Sequence, residues 1–427
     1  MKIGIKTLGC KSNRYESDRV FDELILQGHK VVEIDEMPFS FKEKSDFSPD
    51  LFIVNTCTVT HLADTKSRKA IFGFKKAFPC AKICVFGCGV NIGSISEEIS
   101  EIDFFAKNRD ELIRFIVEQN CCSTNGGEFS SSDSETGERT RTLIKIQDGC
   151  ENFCTYCIIA KARGKERSFS SREIIAELIE NEEKGFKEAI ITGINIGKWK
   201  EGDMDFTDLL ELMISSTKKI NLRISSIEPV EFPNNFFELF SSPRLSPQIH
   251  LSLQSGSDKI LKLMNRHYTS SDYLKICEKL YNSNPDFAIN TDVIVGFPGE
   301  SDKDFSDTVD FVKKVGFLKV HTFPYSKRNK TPAAHFPNQV HPLEKKSRSK
   351  TLREISDELG RNFMEKYIGK SVSVLVEGNK GMYRKGFTSN LLPVRFSGEE
   401  NLRNSFVNVL ISGIDKSGKF LIGKLEQ

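Results

Sequence analysis

Short apolar segments alternate with helical patterns along most of the chain, and this alternation restricts the fold more than any other feature. In the first 120 residues, four β-rich segments are separated by helical patterns: strands at 3–8, 31–34, 51–54 and 83–86, and helices at 15–27 and 62–78. Strands that alternate with helices usually pair in parallel. The sequence therefore predicts an N-terminal doubly wound parallel sheet over residues 1–120.

A segment rich in Ser, Gly and Thr, residues 121–140, follows this region and is predicted to be a linker. Six further strand candidates come after it, with helical patterns between most of them. They lie at 143–147, 189–192, 222–227, 250–254, 289–295 and 319–323. Six β/α units predict a partial (β/α)6 barrel over residues 141–366, with its chemistry at the carboxyl ends of the strands.

A charged helix predicted at 342–367 leads into the last region, residues 367–427. Four stretches there alternate apolar and polar residues and end at turn signals: SVSVLVEG, LLPVRFSG, FVNVLISG and KFLIGKLE. Several short strands of this kind predict a small antiparallel β-barrel. The chain is thus expected to have an α/β architecture with three domains and one linker.

Composition excludes several classes of protein. The 61 Lys and Arg residues nearly balance the 59 Asp and Glu residues, so the whole chain is neither a polycation nor a polyanion. Hydrophobic residues make up 38% of the chain, as is typical of globular proteins. No apolar run reaches the roughly 20 residues that cross a bilayer, and the N-terminus does not resemble a signal peptide. We expect no membrane partner and a cytoplasmic location.

The basic residues are concentrated near the C-terminus. Residues 326–427 contain 19 Lys and Arg against 10 Asp and Glu, whereas residues 1–120 contain 17 against 18. A basic helix followed by a basic small barrel is typical of a surface that binds a polyanion. A solvated surface whose lysines serve solubility would give the same pattern.

Three cysteines in one loop form the sharpest local motif. GCENFCTYC places Cys150, Cys154 and Cys157, here called the loop trio, in a C-x3-C-x2-C run after the first strand of the second domain. Cysteines of a cytoplasmic chain are more often ligands or catalytic thiols than disulfides. Three thiolates suit a four-iron cluster with one iron left open. Zinc usually takes four ligands in two pairs, which this loop does not supply.

Three cysteines of the first domain share one placement. Cys10, Cys57 and Cys88, here called the N-terminal trio, each follow a predicted strand. The carboxyl ends of parallel strands meet at one edge of a sheet, where open α/β sheets bind ligands. A second iron–sulfur cluster with an open iron is therefore predicted there. The other cysteines are expected to be core residues, Cys84 and Cys277, or to have no role, Cys80, Cys121 and Cys122.

The loop trio, with the aromatic Tyr156 before its last cysteine, resembles the radical S-adenosylmethionine enzymes. Both trios together resemble their methylthiotransferase branch. The matching segments are LGCKSNRYES, NTCTVT, FGCGVN, QDGCENFCTYCIIAKARGKERS, TGINIGKW, RISSIEP, HLSLQSGSDKILKLMNRHYT, TDVIVGFPGES and TFPYSKRNKTPAA. The final barrel resembles the TRAM module, an RNA-binding domain.

The resemblance implies two 4Fe-4S clusters and S-adenosylmethionine as cofactors. The cluster on the N-terminal trio would hold a sulfur, which one S-adenosylmethionine methylates. A second S-adenosylmethionine, bound at the loop trio, would yield the 5′-deoxyadenosyl radical that removes hydrogen from the substrate carbon. An aromatic C–H bond is not acidic enough for a basic side chain, so the lack of an obvious catalytic His or Ser motif fits, and no catalytic residue is assigned.

Polar residues at or near the predicted strand ends are candidate contacts for S-adenosylmethionine. Asn195, Ser225 and Gln254 are the preferred ones, together with Tyr156 of the cysteine loop. Arg223, Ser255 and Asp292 are predicted near the same ends. Any of these strand-end residues would equally serve to cap a helix or to satisfy a backbone group.

The motifs LGCKSNRYES, NTCTVT and TGINIGKW most resemble the group that acts on threonylcarbamoyladenosine. They imply methylthiolation at carbon 2 of this base at tRNA position 37, with the anticodon stem-loop as partner. A low-potential electron donor such as flavodoxin or ferredoxin and a sulfur source are also implied. The alternatives within the branch are isopentenyladenosine of tRNA and a ribosomal protein aspartate. An alternative of another class is a non-catalytic iron–sulfur protein that binds RNA or senses redox state.

Replacing each trio with alanine should separate the two cluster roles. The reconstituted chain should contain about eight irons if both clusters are complete. Without the loop trio, no 5′-deoxyadenosine should form from S-adenosylmethionine, and this product is quantified by chromatography. Without the N-terminal trio, cleavage should continue while methylthiolation is lost. A folded N-terminal variant that no longer cleaves S-adenosylmethionine would contradict this division, and a non-catalytic sensor would form no 5′-deoxyadenosine at all.

Overall fold

A computed structural model describes most of the chain: residues 1–36, 38–44, 47–96, 98–120, 139–229, 232–380, 383–398 and 402–426. The predicted linker, residues 121–140, lies outside these residues except for its last two positions. Within the described ranges, no helix combines the length and the apolar character that crossing a bilayer requires.

The first unit is a five-stranded parallel sheet in the order β2-β1-β3-β4-β5, as the prediction of a doubly wound sheet requires. Its strands are β1 (Lys2–Thr7), β2 (Lys30–Glu33), β3 (Leu51–Thr56), β4 (Lys82–Gly87) and β5 (Phe104–Phe105). Its helices are α1 (Lys11–Leu26), α2 (Pro38–Lys44), α3 (His61–Ala77), α4 (Cys88–Asn91) and α5 (Arg109–Asn120). Apolar cores lie on both faces, one against α1 and α5 and the other against α2 and α3.

The second unit is a curved parallel sheet of six main strands, which confirms the partial barrel. Its strands are β6 (Arg141–Lys145), β7 (Gln147–Asp148), β8 (Arg167–Ser168), β9 (Glu188–Thr192), β10 (Asn221–Ile224), β11 (Ser226–Ile227), β12 (Gln248–Leu251), β13 (Ala288–Val295) and β14 (Lys319–Pro324). Around it lie α6 (Ile159–Arg163), α7 (Ser171–Glu183), α8 (Phe206–Ser216), α9 (Asn234–Glu238), α10 (Asp258–Leu263), α11 (Ser270–Ser283) and α12 (Asp302–Val315).

Within this curved sheet, β10 and β11 are one strand interrupted at Ser225. The first part pairs in β10-β9-β6 and the second in β11-β12-β13-β14, so β6 and β14 are the two free edges. Alternate residues such as Ile249, Leu251 and Val293 pack beneath the helices in the largest core. Because side chains alternate across a strand, the remaining ones face the concave side.

The first unit spans the gap between the two free edges. On the β6 side, the Lys145 Nζ lies 2.7 Å from the Glu16 carboxylate of α1. On the β14 side, Arg328 pairs with Asp64 of α3 and donates to the Thr58 hydroxyl at 2.6 Å. The partial barrel is therefore closed laterally by the N-terminal sheet rather than by further strands of its own.

The last unit is a closed barrel in the order β15-β16-β17-β19-β18, preceded by α13 (Pro342–Glu365). Its strands are β15 (Ser371–Lys380), β16 (Tyr383–Thr388), β17 (Pro393–Ser397), β18 (Phe406–Ile414) and β19 (Leu421–Leu425). Four pairings are antiparallel as predicted, but β17 and β19 pair in parallel. The reason is that β19 folds back on β18 as a hairpin and inserts beside β17.

This small barrel docks at the amino ends of the partial-barrel strands. The Asn390 side chain donates to the Asp286 carbonyl at 2.9 Å, just before β13, and the Asn404 side chain donates to the Gly185 carbonyl at 3.1 Å, before β9. At the start of β6, Arg141 pairs with Glu377 of β15 at 2.9 Å. The small barrel and the carboxyl ends of the strands thus lie at opposite ends of the central unit.

Two glycines of the small barrel offer a matched test of its packing. A Cβ on Gly386 would fall on the Leu375 carbonyl of the neighbouring strand, whereas a Cβ on Gly413 would meet no atom within 4 Å. Gly386→Ala should destabilise the barrel by about 1–3 kcal/mol, and Gly413→Ala should change its stability by less than about 0.5 kcal/mol. Hydrogen exchange of β15–β19 amides measures both. Equal protection in the two variants would contradict this packing.

Candidate active site

The N-terminal trio converges at the carboxyl edge of the first sheet. Cys10 follows β1 and caps α1, Cys57 follows β3, and Cys88 begins α4 directly after β4. These three strands are neighbours in the sheet. The Asn13 Oδ1 lies 3.5 Å from the Cys10 Sγ and 4.0 Å from the Cys88 Sγ. A Cβ on Gly9 would stand 3.0 Å from the Cβ of Cys57, so the chain brings the three cysteines to one place.

The loop trio lies between β7 and α6, at the carboxyl end of the partial barrel. The loop is fixed by backbone hydrogen bonds, including one from the Cys150 amide to the Gly164 carbonyl at 3.2 Å. Gly149 has a φ of 76°, and a Cβ there would fall on the Lys165 carbonyl, so this turn requires glycine. Phe153 has a φ of 48° and is 64% exposed, which places the loop near the protein surface.

The two trios meet where α4 of the first unit packs on α6 of the second. Cys88 and Ile92 of the first unit share a small apolar cluster with Ile158 and Ala162. Ile158 directly follows Cys157 of the loop trio. One end of each trio therefore lies at the same junction between the units.

Arg163 of α6 connects the two units at this junction. Its guanidinium is buried at this junction and contacts the Glu16 carboxylate at 2.6 Å and the Asp148 carboxylate at 3.2 Å. Its second Nη donates to the Asn13 Oδ1 at 2.7 Å, which fixes the side chain that stands between Cys10 and Cys88. Asn13 is held further by Asn55, whose Oδ1 accepts from the Asn13 amide at 3.0 Å.

A second buried arginine stands at the loop trio. The Arg266 Nη1 lies 3.3 Å from the Cys154 Sγ and 2.7 Å from the Glu228 carboxylate. Glu228 also accepts a hydrogen bond from the Asn152 side chain of the same loop. Arg266 thus contacts a thiol of the loop trio directly, whereas Arg163 reaches the N-terminal trio through Asn13. Each arginine is paired with a glutamate.

Burial governs the ionisation of the cysteine thiols. It raises the pKa of Cys88 and of Cys150 to about 11 and that of Cys157 to about 12, and it raises the pKa of Cys57 and Cys154 as well. The charges of Arg163 and Arg266 act in the opposite direction on Cys88 and Cys154. Binding of iron must displace the thiol protons, because the thiolate is the ligand.

The donor set of each trio fits an iron–sulfur cluster. Each trio supplies three cysteine thiols, one set from a single loop and the other from the carboxyl ends of three neighbouring strands. Cysteine thiolates are the usual protein ligands of a four-iron cluster. The residues present at both places would therefore hold such a cluster through three of its irons.

The preferred candidates for S-adenosylmethionine contact lie at the carboxyl ends of the strands. Asn195 follows β9, Ser225 follows β10 and Gln254 follows β12. The Asn195 Oδ1 is buried without a hydrogen-bond partner among the described residues, and Gln254 has a φ of 69°. The unpartnered Asn195 Oδ1 leaves an acceptor available to a ligand, whereas the Tyr156 ring packs edge-on against Phe297 at 6.4 Å.

The three other polar candidates lie elsewhere. Ser255 faces α12, with its hydroxyl 3.3 Å from that of Thr308. Arg223 is paired with Glu188 at the start of β9, and Asp292 lies inside β13, three residues before its end. Sequence reasoning did not single out Asn13, Arg163 or Arg266, although all three lie within the matching segments, because their roles depend on contacts between distant segments.

Comparisons with known proteins agree with this arrangement. Residues 144–312 match the Radical SAM superfamily and residues 2–106 match the Uncharacterized protein family UPF0004. The chain is 36% identical to a threonylcarbamoyladenosine tRNA methylthiotransferase MtaB of Chlamydia pneumoniae, over 98% of this chain and 96% of the relative. An MtaB of Bacillus subtilis is 32% identical over 96% and 93%. The chain belongs to the radical S-adenosylmethionine methylthiotransferases.

Other matches include a relative that carries a different name and a solved structure with a similar fold. A tRNA-2-methylthio-N(6)-dimethylallyladenosine synthase of Acetivibrio thermocellus is 32% identical over 96% of this chain and 88% of the relative. Among solved structures, the radical S-adenosylmethionine methyltransferase TsrM of Kitasatospora setae superposes with a TM-score of 0.57 at 13% identity, over 78% of this chain and 77% of that one. This last likeness concerns the fold alone. Family membership implies a 4Fe-4S cluster and S-adenosylmethionine, with a second cluster expected in methylthiotransferases.

Arg163 and Arg167 allow a matched test of the junction, since both contact Asp148. Arg163→Met leaves Lys145 as the remaining buried cation beside Glu16 and Asp148 and should lower the free energy of unfolding by about 3 kcal/mol. Arg167 lies 3.0 Å from Asp148, but its side chain is 68% exposed, so Arg167→Met should cost less than about 1 kcal/mol. Urea unfolding followed by Trp199 fluorescence measures both. Equal losses would show that the network does not depend on Arg163.

Proposed function

We propose that the chain transfers a methylthio group to carbon 2 of threonylcarbamoyladenosine at position 37 of tRNA. The observation that carries this proposal is the meeting of two cysteine trios, from separate units, at the α4–α6 junction. A radical source and a sulfur carrier must act on the same carbon, so they must lie close together. The names of full-length relatives support tRNA and this base as the substrate.

The loop trio would hold the radical-generating cluster, and Asn195, Ser225 and Gln254 would hold S-adenosylmethionine beside it. When bound, this pair supplies a 5′-deoxyadenosyl radical. The chain contributes the surroundings: Arg266 faces the sulfur of Cys154, and hydrogen bonds and charge at a cluster sulfur set its reduction potential.

The N-terminal trio would hold the second cluster. Cys57 and Cys88 are buried, whereas Cys10 is exposed, so one side of this site is open. The open side suits an iron that carries the sulfur to be transferred. Asn13 and Arg163 would keep the thiols in position while the substrate approaches from that side.

The small barrel would bind the RNA. The Arg395 guanidinium lies 3.5 Å from the Phe420 ring centroid, and the Lys385 Nζ lies 5.5 Å from that of Phe387 and 5.9 Å from that of Phe420. Cations of this kind contact phosphates, and aromatic faces stack on unpaired bases. The surplus of basic residues after position 325 supports the same role.

The proposed reaction also requires an electron donor and a sulfur source. Radical generation consumes an electron of low potential, which a flavodoxin or a ferredoxin carries, and each transferred sulfur must be replaced. The exposed Phe153, next to Cys154, places the loop trio within reach of a docked donor.

Mass spectrometry of tRNA nucleosides tests the substrate. Cells that lack this chain should lose the methylthiolated threonylcarbamoyl base, and the wild-type gene should restore it. Cys88→Ala should fail to restore it, while Cys80→Ala, at an exposed cysteine outside both trios, should succeed. Persistence of the base in the deletion strain would overturn the proposal. Loss of the isopentenyl analogue instead would assign the other tRNA substrate.

A further inference from the structure

A small pocket rich in basic residues, here called the junction pocket, lies between the first unit and the partial barrel. Its walls are the beginning of α3, the segment after α4 and the loop that follows β14. Among the residues that line it are Ile92, Ser94, Ile158 and the loop residues 327–330. Its volume is about 220 Å³, and the cysteines of both trios lie outside its lining. The junction pocket is therefore separate from the two cluster sites.

The junction pocket borders the place where the two trios meet. Ile92 and Ile158, which line it from the two units, belong to the apolar cluster that also contains Cys88. Ile158 directly follows Cys157 of the loop trio. The loop residues 327–330 begin three positions after the end of β14, at the carboxyl ends of the partial-barrel strands. A group held in this pocket would therefore lie next to the site of the proposed reaction.

Cationic side chains from both units surround the junction pocket. Three of them line it and two others are hydrogen-bonded to its lining; the five pocket cations are Arg68, Lys161, Lys327, Arg328 and Lys330. Arg68 of α3 donates to the Ser94 carbonyl at 2.7 Å. Lys161 of α6 donates to the Lys330 carbonyl at 2.6 Å. The positive charges are thus collected from three separate segments of the chain.

Only one of these five cations has a carboxylate partner within the described ranges. Arg328 pairs with Asp64 of α3, whose carboxylate also accepts from the Ser94 hydroxyl at 2.9 Å. Across the described part of the chain, no carboxylate lies within ion-pair distance of the other four. Five positive charges therefore face one negative charge, and a pocket with this surplus attracts an anion.

Docking of the two units explains two of the pocket cations but not Lys327. Arg328 reaches the first unit through Asp64 and through the Thr58 hydroxyl at 2.6 Å, and the Lys330 Nζ donates to the Ile92 carbonyl. Lys327 is exposed and makes no hydrogen bond or ion pair with any residue that the structure describes. Its ammonium group is therefore available to a ligand.

We propose that the junction pocket binds the RNA backbone beside the reactive nucleotide, with Lys327 contacting one of the two phosphates that flank this nucleotide. This inference rests on the proposed function and adds a second place at which RNA is held. A base that is taken out of its stack stays attached through its ribose to the phosphates on either side. With the base between the trios, one of these phosphates reaches the basic pocket at their border.

The size and position of the pocket favour a phosphate group over other anions. Pockets for whole small molecules usually measure about 300–1,000 Å³, so this cavity suits one phosphate better than a nucleotide or S-adenosylmethionine. Lys and Arg are the usual contacts of nucleic acid phosphates. The small barrel cannot make this contact, because it docks before β9 and β13, at the other end of the strands.

Anticodon stem-loop RNAs with one uncharged linkage test this inference. Each RNA contains threonylcarbamoyladenosine at position 37, and a methylphosphonate replaces the phosphate on its 5′ side, the phosphate on its 3′ side, or one phosphate of the stem. Fluorescence anisotropy measures binding to the reconstituted full chain. The wild-type chain should bind one of the two flanking replacements about 3- to 10-fold more weakly than the unmodified backbone, because an ion pair with the pocket is lost.

Variants at Lys327 show whether this loss belongs to the pocket. Lys327→Met should weaken binding of the unmodified backbone by the same factor and reduce the salt slope of log K by about 0.7. In this variant the flanking replacement should cost less than about 1.5-fold, because its partner is already absent. Lys327→Arg should retain wild-type affinity. Lys303→Met, at an exposed lysine 3.0 Å from Asp307 on α12, should bind every RNA as the wild type does.

The outcomes separate this inference from the proposed function. If neither flanking replacement weakens binding to the wild-type chain, the junction pocket does not hold a backbone phosphate and the inference is wrong. It is equally wrong if Lys327→Met weakens binding of all the RNAs by one factor, because Lys327 then acts only by general attraction. If the coupling between Lys327 and one phosphate is found but the chain does not methylthiolate the unmodified RNA, the inference about RNA binding holds and the proposed function fails.

Discussion

Burial of the Arg163 guanidinium between two units is the constraint on which the active-site geometry depends. A buried charge without partners costs several kcal/mol, and here Glu16 of α1 and Asp148 of β7 offset that cost. Asp148 belongs to the same unit as Arg163 and Glu16 to the first unit, so both partners are present only when the first unit is docked on the partial barrel. The same docking places Cys88 against α6. Docking of the first unit therefore completes the set of Arg163 partners and also brings one end of each trio to the same junction.

The parallel sheets and the N-terminal trio can be predicted from the sequence because they depend on patterns of residues that are close together in the chain. Alternating strands and helices give the parallel sheets, and the position of each cysteine directly after a strand gives the N-terminal trio before any contact is known. Strand β16 was missed because YRKGFT lacks a clear apolar alternation. The parallel pairing of β17 with β19 was missed because strand order follows from chain connectivity rather than from the residues of one segment.

The contacts around the trios are less accessible to sequence reasoning. Asn13 and Arg163 are 150 positions apart, and Arg266 and Cys154 are 112 apart. The residues next to an arginine in the sequence do not show whether it contacts a thiol or lies on the surface. Asp292 lies within the predicted strand 289–295, but its partner, His250 of the adjacent strand, could not be predicted from the pattern. Side-chain partnerships of this kind arise from register, which the fold sets.

The opposite placement of the small barrel and the cysteines has a geometric consequence. The small barrel touches the residues before β9 and β13, whereas the trios lie beyond the far ends of the strands. The eight residues of β13 span about 26 Å at 3.3 Å per residue. If the small barrel binds the RNA as proposed, the reactive nucleotide has to extend over this length to reach the trios. The length of the central unit would then exclude an RNA whose reactive base lies at a different distance from the segment held by the small barrel.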